Sequence, residues 1–383
     1  MVRGGLAGNK GAPAYCLLLD ASEPHLLMLT TGQKLAIQRT DRSRLSETDL
    51  ENIKFGRVFS DHMFVMDYAN GEWGAPGIVP FGDLELSPAT LVLHYGQTIF
   101  EGLKAYRSEN GSVNIFRPQA NLARLNRSAE RMCMPPIPEE LVLDGLRELV
   151  DLDRDWIPKG GEASLYIRPF MFATDEYIGV RPSDTYRFII FTCPVQAYYK
   201  EAVRVKIETY YSRAFPGGTG AAKCGGNYAA ALYPAKLAQQ DGFHQLVWTD
   251  GLEHRYIEES GTMNVFFRIG DTLVTPETGG TILEGITRDS IIDLARREGI
   301  ATEVRKVEVR EVLDAIAGGT LKEAFGAGTA ATIAHMSSIA YDGGEYQLPA
   351  PEQFAFANRL AQLLDDIRRG RSEDPFGWNL HLP

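Results

Sequence analysis

The sequence predicts an α+β fold in two domains. Three observations carry this. The chain has 383 residues, more than one hydrophobic core comfortably serves. Short apolar strands and amphipathic helices recur along it without the strict strand–helix alternation of a doubly wound sheet. Asn70-Gly71 and Asn110-Gly111 each separate two apolar runs, the signature of tight antiparallel hairpins.

Taken in order, residues 1 to about 60 show no clear period, with one short turn expected at 46–49. Residues 63–68 and those from 72 onward form the first hairpin. Residues 89–95 read as a strand, and 102–107 with 112–116 as the second hairpin. Pro118 opens a helix whose Leu122, Leu125, Ala129 and Met132 share one face, leaving Arg124 and Arg131 off it. Pro135 and Pro136 end that helix. A second helix spans 141–152, and 164–172 and 186–192 are strands. The predicted organisation is an N-terminal domain over 1–192, of which 1–55 is an irregular extension, an interdomain loop over 193–202, and a C-terminal domain over 203–383. In the latter, strands are expected at 203–209, 245–249 and 263–269, and helices at 227–240, 287–298, 311–317 and 354–369, with 322–325 leading into the glycine turn from 326.

Composition narrows the function. A net charge of −11 argues against a nucleic-acid binder, which shows basic patches. No apolar run reaches membrane-spanning length, and the first residues lack an apolar signal core, so a cytoplasmic location is expected. Cys16, Cys133, Cys193 and Cys224 are scattered with no Cys-x-x-Cys spacing, so neither zinc nor disulfides are expected.

Four stretches carry chemistry. Within residues 217–228 Lys223 is the lone charged residue among glycines and small side chains. Such a lysine can hold a phosphate, act as an amine nucleophile, or stand in solvent. A nucleotide P-loop needs Gly before the lysine and Ser or Thr after it; here Ala222 precedes and Cys224 follows. Residues 326–331, Gly-Ala-Gly-Thr-Ala-Ala, match the loose dinucleotide fingerprint. They do not open an N-terminal strand–helix–strand unit, yet form a phosphate-friendly turn. Glu258-Glu259 stand before Ser260-Gly261-Thr262 and an apolar strand; an acid turned inward there needs a cation or proton. Residues 93–102 flank a glycine turn with aromatics, as a pocket wall or a core edge would.

Together these stretches resemble the branched-chain aminotransferases among the fold-type IV pyridoxal-phosphate enzymes. The likeness rests on His94-Tyr95-Gly96, Phe100-Glu101-Gly102, Phe116-Arg117-Pro118 with Arg124-Leu125, Gly218-Thr219-Gly220 with Lys223 and Gly225-Gly226-Asn227-Tyr228, Glu259-Ser260-Gly261-Thr262-Met263-Asn264, Gly285-Ile286-Thr287-Arg288, and Gly326-Ala327-Gly328-Thr329-Ala330. They occur in the family's order over roughly residues 55–350.

The resemblance implies a smaller N-terminal α/β domain, a larger C-terminal domain, and pyridoxal phosphate between them. Lys223 is implied to carry the cofactor as a Schiff base and then to move the proton as a general acid–base. Glu259, two residues before Gly261, is implied to face the ring nitrogen. Arg124, the Ile286 and Thr287 N–H groups and Thr329 are implied to hold the phosphate, although Thr287 also reads as an ordinary helix cap. Tyr228 is implied at the phenolate oxygen. For the substrate, Tyr95, Phe100 and Tyr166 are implied as an apolar wall, Thr262 and the Ala330 N–H as the α-carboxylate site, and Arg168 as a rim residue for a second carboxylate.

The implied reaction is ping-pong transamination of leucine, isoleucine and valine with 2-oxoglutarate. It takes place in a homodimer, with no nucleic-acid or membrane partner and no metal. Ala331 and Ala334 stand where some mammalian members carry a Cys-x-x-Cys redox switch. A D-amino-acid aminotransferase or an aminodeoxychorismate lyase is the alternative within the superfamily, and a dinucleotide oxidoreductase using the Gly326 turn is the alternative outside it.

Overall fold

The computed structural model describes residues 25–161, 163–196 and 201–383. Cys16 and residues 197–200 of the expected loop therefore lie outside the described residues. Two large sheets organise the chain. In the first the order is His25–Met28, Lys34–Ile37, Gly77–Pro80, His62–Ala69, Tyr186–Val195, Ser164–Ala173, Leu103–Arg107, Val113–Phe116 and Asn379–Leu382. Asn70 and Gly71 both take positive φ, 56° and 85°, as the tight hairpin turn after His62–Ala69 requires.

Helices Pro118–Arg131 and Glu139–Leu152 lie on this sheet. Leu122, Leu125, Leu141, Leu146 and Leu149 join Phe64, Leu165, Ile167 and Phe188 in one core. Their i, i+3, i+4 spacing puts these leucines on the buried side.

The second sheet runs Thr302–Val304, Thr272–Thr275, Met263–Ile269, Leu321–Gly328, Thr332–Tyr341, Val203–Ile207, Gln245–Thr249, Tyr256–Ser260 and Val307–Glu308. Tyr256–Ser260 also pairs back onto Met263–Ile269 through Glu259↔Asn264 and Ser260↔Met263, so the path closes on itself like a barrel. Alternation along Met263–Ile269 splits its side chains. Val265 and Phe267 enter the barrel core with Val205, Val247 and Met336. Phe266 turns outward to Phe325, helix Ile286–Arg297 and helix Ala355–Arg368. That outer cluster also takes Tyr106, Phe116 and Trp378, so it is shared with the first sheet.

Several expectations change. Residues 25–28 and 34–37 are paired strands, not irregular chain; Leu35 and Ile37 are buried, a signal too short to read alone. Residues 89–95 are not a strand. Val92–Tyr95 is a single helical turn closed by Gly96 at φ 63°, and a short apolar run cannot separate the two states. Strand Tyr186–Val195 continues past 193, with Cys193 and Val195 buried, so the expected loop begins later. Gly326–Gly328 belong to strand Leu321–Gly328, and the turn is at 329–331. The last strand of the 203–383 span, Asn379–Leu382, pairs with Val113–Phe116 of the first sheet. Among the described residues no helix is long and apolar enough to cross a membrane.

Leu146 is fully buried between helix and sheet. We expect Leu146→Ala to lower the urea midpoint by an amount equivalent to about 2–5 kcal/mol. A midpoint unchanged within error would contradict the assigned core.

Candidate active site

The segment before helix Gly225–Gln240 crosses from the second sheet to the first. The Phe100 N–H donates to the Lys223 carbonyl at 3.0 Å. The Lys223 N–H donates to Ser128 Oγ at 3.0 Å, and Ile99 bridges Cys224. Lys223 is thereby fixed against both a strand and a helix of the first layer. Two glycines are needed for this approach. A Cβ at Gly220 would stand 2.6 Å from the Thr281 carbonyl oxygen, and one at Gly225 2.9 Å from Thr98 Cγ2.

The amine ends in an aromatic corner. Lys223 Nζ is 3.0 Å from the Tyr228 hydroxyl and 5.0 Å from the Phe100 ring centre. Phe100 and Tyr228 pack with centroids 4.8 Å apart. Tyr228 is brought here by one helical turn after Lys223, a spacing visible in the sequence.

Glu259 lies buried within strand Tyr256–Ser260. Its Oε1 accepts from Arg213 Nη2 at 3.0 Å and from the Leu283 N–H. Burial pushes its carboxyl above the ordinary range, opposed by Arg213, the Leu283 amide, Lys223 and Arg124. Glu258 is buried too, and burial likewise raises its carboxyl. The sequence expected a partner for one inward acid; the structure buries both.

Arg124 was placed off the helix core from the sequence, and the structure buries it. Its Nε and Nη2 form a fork on Glu101 at 2.7 and 2.8 Å, and Nη1 donates to the Glu284 carbonyl at 2.8 Å. Burial works against its charge and Glu101 more than offsets this. Glu284 leads directly into helix Ile286–Arg297, where no side chain caps the N-terminus and Thr287 is buried. Asn264 holds this approach by donating to the Leu283 carbonyl at 2.9 Å. The leading N–H groups of a helix attract anions, and Arg124 reaches the Glu284 carbonyl, two residues before this helix begins.

Arg168 Nη2 donates to the Tyr166 hydroxyl at 2.9 Å, and its guanidinium lies 4.8 Å from the Phe100 ring centre. Gly102 leaves room for Tyr166, since a Cβ there would collide with its hydroxyl oxygen. Thr262 lies in the turn beyond Ser260 and lines a narrow cleft with Arg213, Tyr228 and Glu259. Thr329 and Ala330 lie in the turn after strand Leu321–Gly328, which pairs beside Thr262 through Asn264↔Ala327. The Ala330 carbonyl accepts from Lys104 Nζ at 3.0 Å. Tyr95 is not brought to this group: it is 45% exposed, and its hydroxyl donates to the Ile178 carbonyl.

Sequence reasoning missed Arg213 and gave Glu101 no role. Glu101 stood inside a quoted motif; nothing local marked Arg213, whose partners Glu259 and Thr281 are 46 and 68 positions away. A larger cavity of about 460 Å³, lined by Ser108, Asn114, Arg369, Asn379 and His381, shares no residue with this cluster. The smaller cleft instead holds Tyr228 and Glu259, and the Tyr228 hydroxyl meets Lys223 Nζ, so the chemistry points there.

Known proteins resemble this chain over most of its length. The model of the class IV amino-transferase family matches residues 98–339. Branched-chain-amino-acid aminotransferase 2 of Bacillus subtilis (strain 168) is 46% identical, over 92% of this chain and 98% of that protein. The branched-chain-amino-acid aminotransferase of Mycolicibacterium smegmatis is 45% identical, over 88% and 94%. Among solved structures, the branched-chain amino acid aminotransferase of Escherichia coli is similar with TM-score 0.69 and 28% identity, covering 83% of this chain and 98% of that one. The T.th. branched-chain amino acid aminotransferase with pyridoxamine 5'-phosphate gives TM-score 0.68 and 26% identity, covering 84% and 98%.

Removing Glu101 strands the buried Arg124 charge. We expect Glu101→Ala to cost about 3–5 kcal/mol of stability, read as a fall in the thermal midpoint of the cofactor-free protein. An unchanged midpoint would show that the pair contributes nothing.

Proposed function

The chain belongs to the class IV aminotransferases, alongside the branched-chain-amino-acid aminotransferases, and from this premise we propose how its own residues carry the reaction. The enzyme transaminates branched-chain L-amino acids. Relatives bearing that name along nearly the whole chain do not favour a D-amino-acid aminotransferase or a lyase. In our reading 2-oxoglutarate is the amino acceptor.

The residue set fits pyridoxal phosphate. An amine stands beside a phenol, a buried carboxyl lies across the cleft, and a helix N-terminus free of side-chain caps meets a buried arginine. The neighbour with pyridoxamine 5'-phosphate supports this choice. When bound, the cofactor supplies an electron sink for the electrons left when the substrate Cα loses its proton.

Lys223 is the attachment point and the proton carrier. Its backbone is pinned on both sides, so only the side chain needs to move. Tyr228, at hydrogen-bond distance, steadies the amine and would hold the cofactor's phenolate oxygen. Glu259 would accept the ring N–H through its second oxygen, the one not committed to Arg213 and Leu283. The Ile286 and Thr287 N–H groups, Thr329, and the Arg124 hydrogens not spent on Glu101 and the Glu284 carbonyl would hold the phosphate. Phe100 and Tyr166 form the apolar wall that excludes water and accepts a branched side chain. Thr262 and the Ala330 N–H bind the α-carboxylate, and Arg168 takes the second carboxylate of glutamate. The observation that carries the reading is the lysine amine held against Tyr228 and Phe100.

Tyr95 fits the substrate wall only in an assembly. Its neighbourhood includes the exposed apolar side chains Leu93, Ile178 and Val180, an arrangement that supports a homodimer in which a second copy covers this patch.

Lys223→Ala is expected to abolish both turnover and the visible band of the lysine-linked cofactor; normal turnover in the variant would end the mechanism. Glu259→Gln is expected to retain cofactor while slowing the single-turnover rate by about 100-fold or more. An unchanged rate would remove Glu259 from its role.

A further inference from the structure

Adjacent residues of a strand point to opposite faces, yet Glu258 and Glu259 are both buried, 6% and 4% exposed. Glu259 has Arg213 and a backbone amide. Glu258 has one oxygen on the Thr281 hydroxyl at 2.5 Å, while Oε2 is buried without a protein partner. A half-satisfied buried carboxyl is expensive to keep, and the reaction described above does not use it.

Its single partner is a junction. While the Thr281 hydroxyl donates to Glu258, the Thr281 carbonyl accepts from Arg213 Nη2. The same Nη2 reaches the Gly220 carbonyl at 3.1 Å and Glu259 Oε1 at 3.0 Å. One residue earlier, the Gly280 carbonyl accepts from the Ala221 N–H at 3.1 Å, two positions before Lys223. Residues 280–281 therefore seat both the arginine behind Glu259 and the loop that carries the lysine. Packing does little to fix the glycines before Thr281, since a Cβ at Gly279 or Gly280 would meet nothing within 4 Å, whereas Thr281 itself lies against Gly220. The charged groups acting on Glu258 are Arg213, Glu259 and Asp250.

We propose that Glu258 is a positioning residue of the reaction, which anchors Thr281 so that Arg213 holds Glu259 in register with the cofactor's ring nitrogen. This rests on the role given to Glu259 above. The role requires an acceptor for the Thr281 hydroxyl, not a charge.

The test uses the holoenzyme with L-leucine and the variants Glu258→Ala, Glu258→Gln, Thr281→Val and the Glu258→Ala/Thr281→Val double. Either single loss should lower kcat about tenfold with KM within about twofold, because misplacement of a catalytic group acts on the chemical step. It should also alter the cofactor's visible band and speed hydrogen exchange of the 279–284 amides. The double variant should be no worse than either single one, as for two ends of one link. Glu258→Gln should recover kcat to within about threefold of the parent, since its amide oxygen still accepts the hydroxyl. Thr281→Val keeps the side-chain shape and answers the question even where Glu258→Ala fails to fold. Parent-like kcat and exchange in Thr281→Val, additive losses in the double, or a Glu258→Gln as slow as Glu258→Ala would each overturn the proposal. Glu259→Gln, run alongside, separates the two levels. If it is slow while Thr281→Val is normal, only this inference fails; if it is unimpaired, the Glu259 role falls and this one with it.

Discussion

The structure depends on how the Lys223 backbone is held. Its carbonyl takes the Phe100 N–H and its own N–H goes to Ser128. A segment that belongs by sequence to the second sheet is thus bonded to a strand and a helix of the first. Backbone bonds of this kind fix a Cα while leaving four side-chain torsions free, which is what an amine that must both bind and release requires. Glycines at 220 and 225 make the approach possible because a Cβ would collide at either.

The other site elements are arranged around that fixed point by longer-range devices. Closure of the second sheet through Glu259↔Asn264 puts the acid on a strand paired on both sides. Asn264 in turn holds the segment leading to helix Ile286–Arg297. Arg117, just beyond strand Val113–Phe116, donates to the Ile286 carbonyl and to Ser290, and its own N–H goes to the Trp378 carbonyl. The C-terminal strand therefore helps to tie the first sheet to helix Ile286–Arg297. Rigid support of this sort is what catalytic groups need to stay within a fraction of an ångström of productive geometry.

Much of this was legible in the residues, and the exceptions have a common cause. Asn-Gly turns and helical periods are local, so the hairpins and helices around 63–152 were readable. Strands 34–37 and 379–382 are held by partners far away in sequence, and strand 25–28 is an edge strand paired only with 34–37; all three carry little pattern of their own. The run at 89–95 has the composition of a strand, but a left-handed Gly96 ends it as one helical turn. Motif order located Lys223, Tyr228 and Glu259. It could not reveal that the Arg124 fork is already engaged by Glu101, or that Arg213 stands behind Glu259, because ion pairing across 23 and 46 positions is a tertiary fact.

The central claim is that Lys223, Tyr228 and Glu259 act on one cofactor that cycles an amino group. The visible spectrum of the purified protein tests it most directly. L-Leucine alone should bleach the band of the bound pyridoxal phosphate in stoichiometric amount, and 2-oxoglutarate added afterwards should restore it. A band untouched by L-leucine but bleached by D-alanine, or a protein with no such band when loaded with pyridoxal phosphate, would contradict the account.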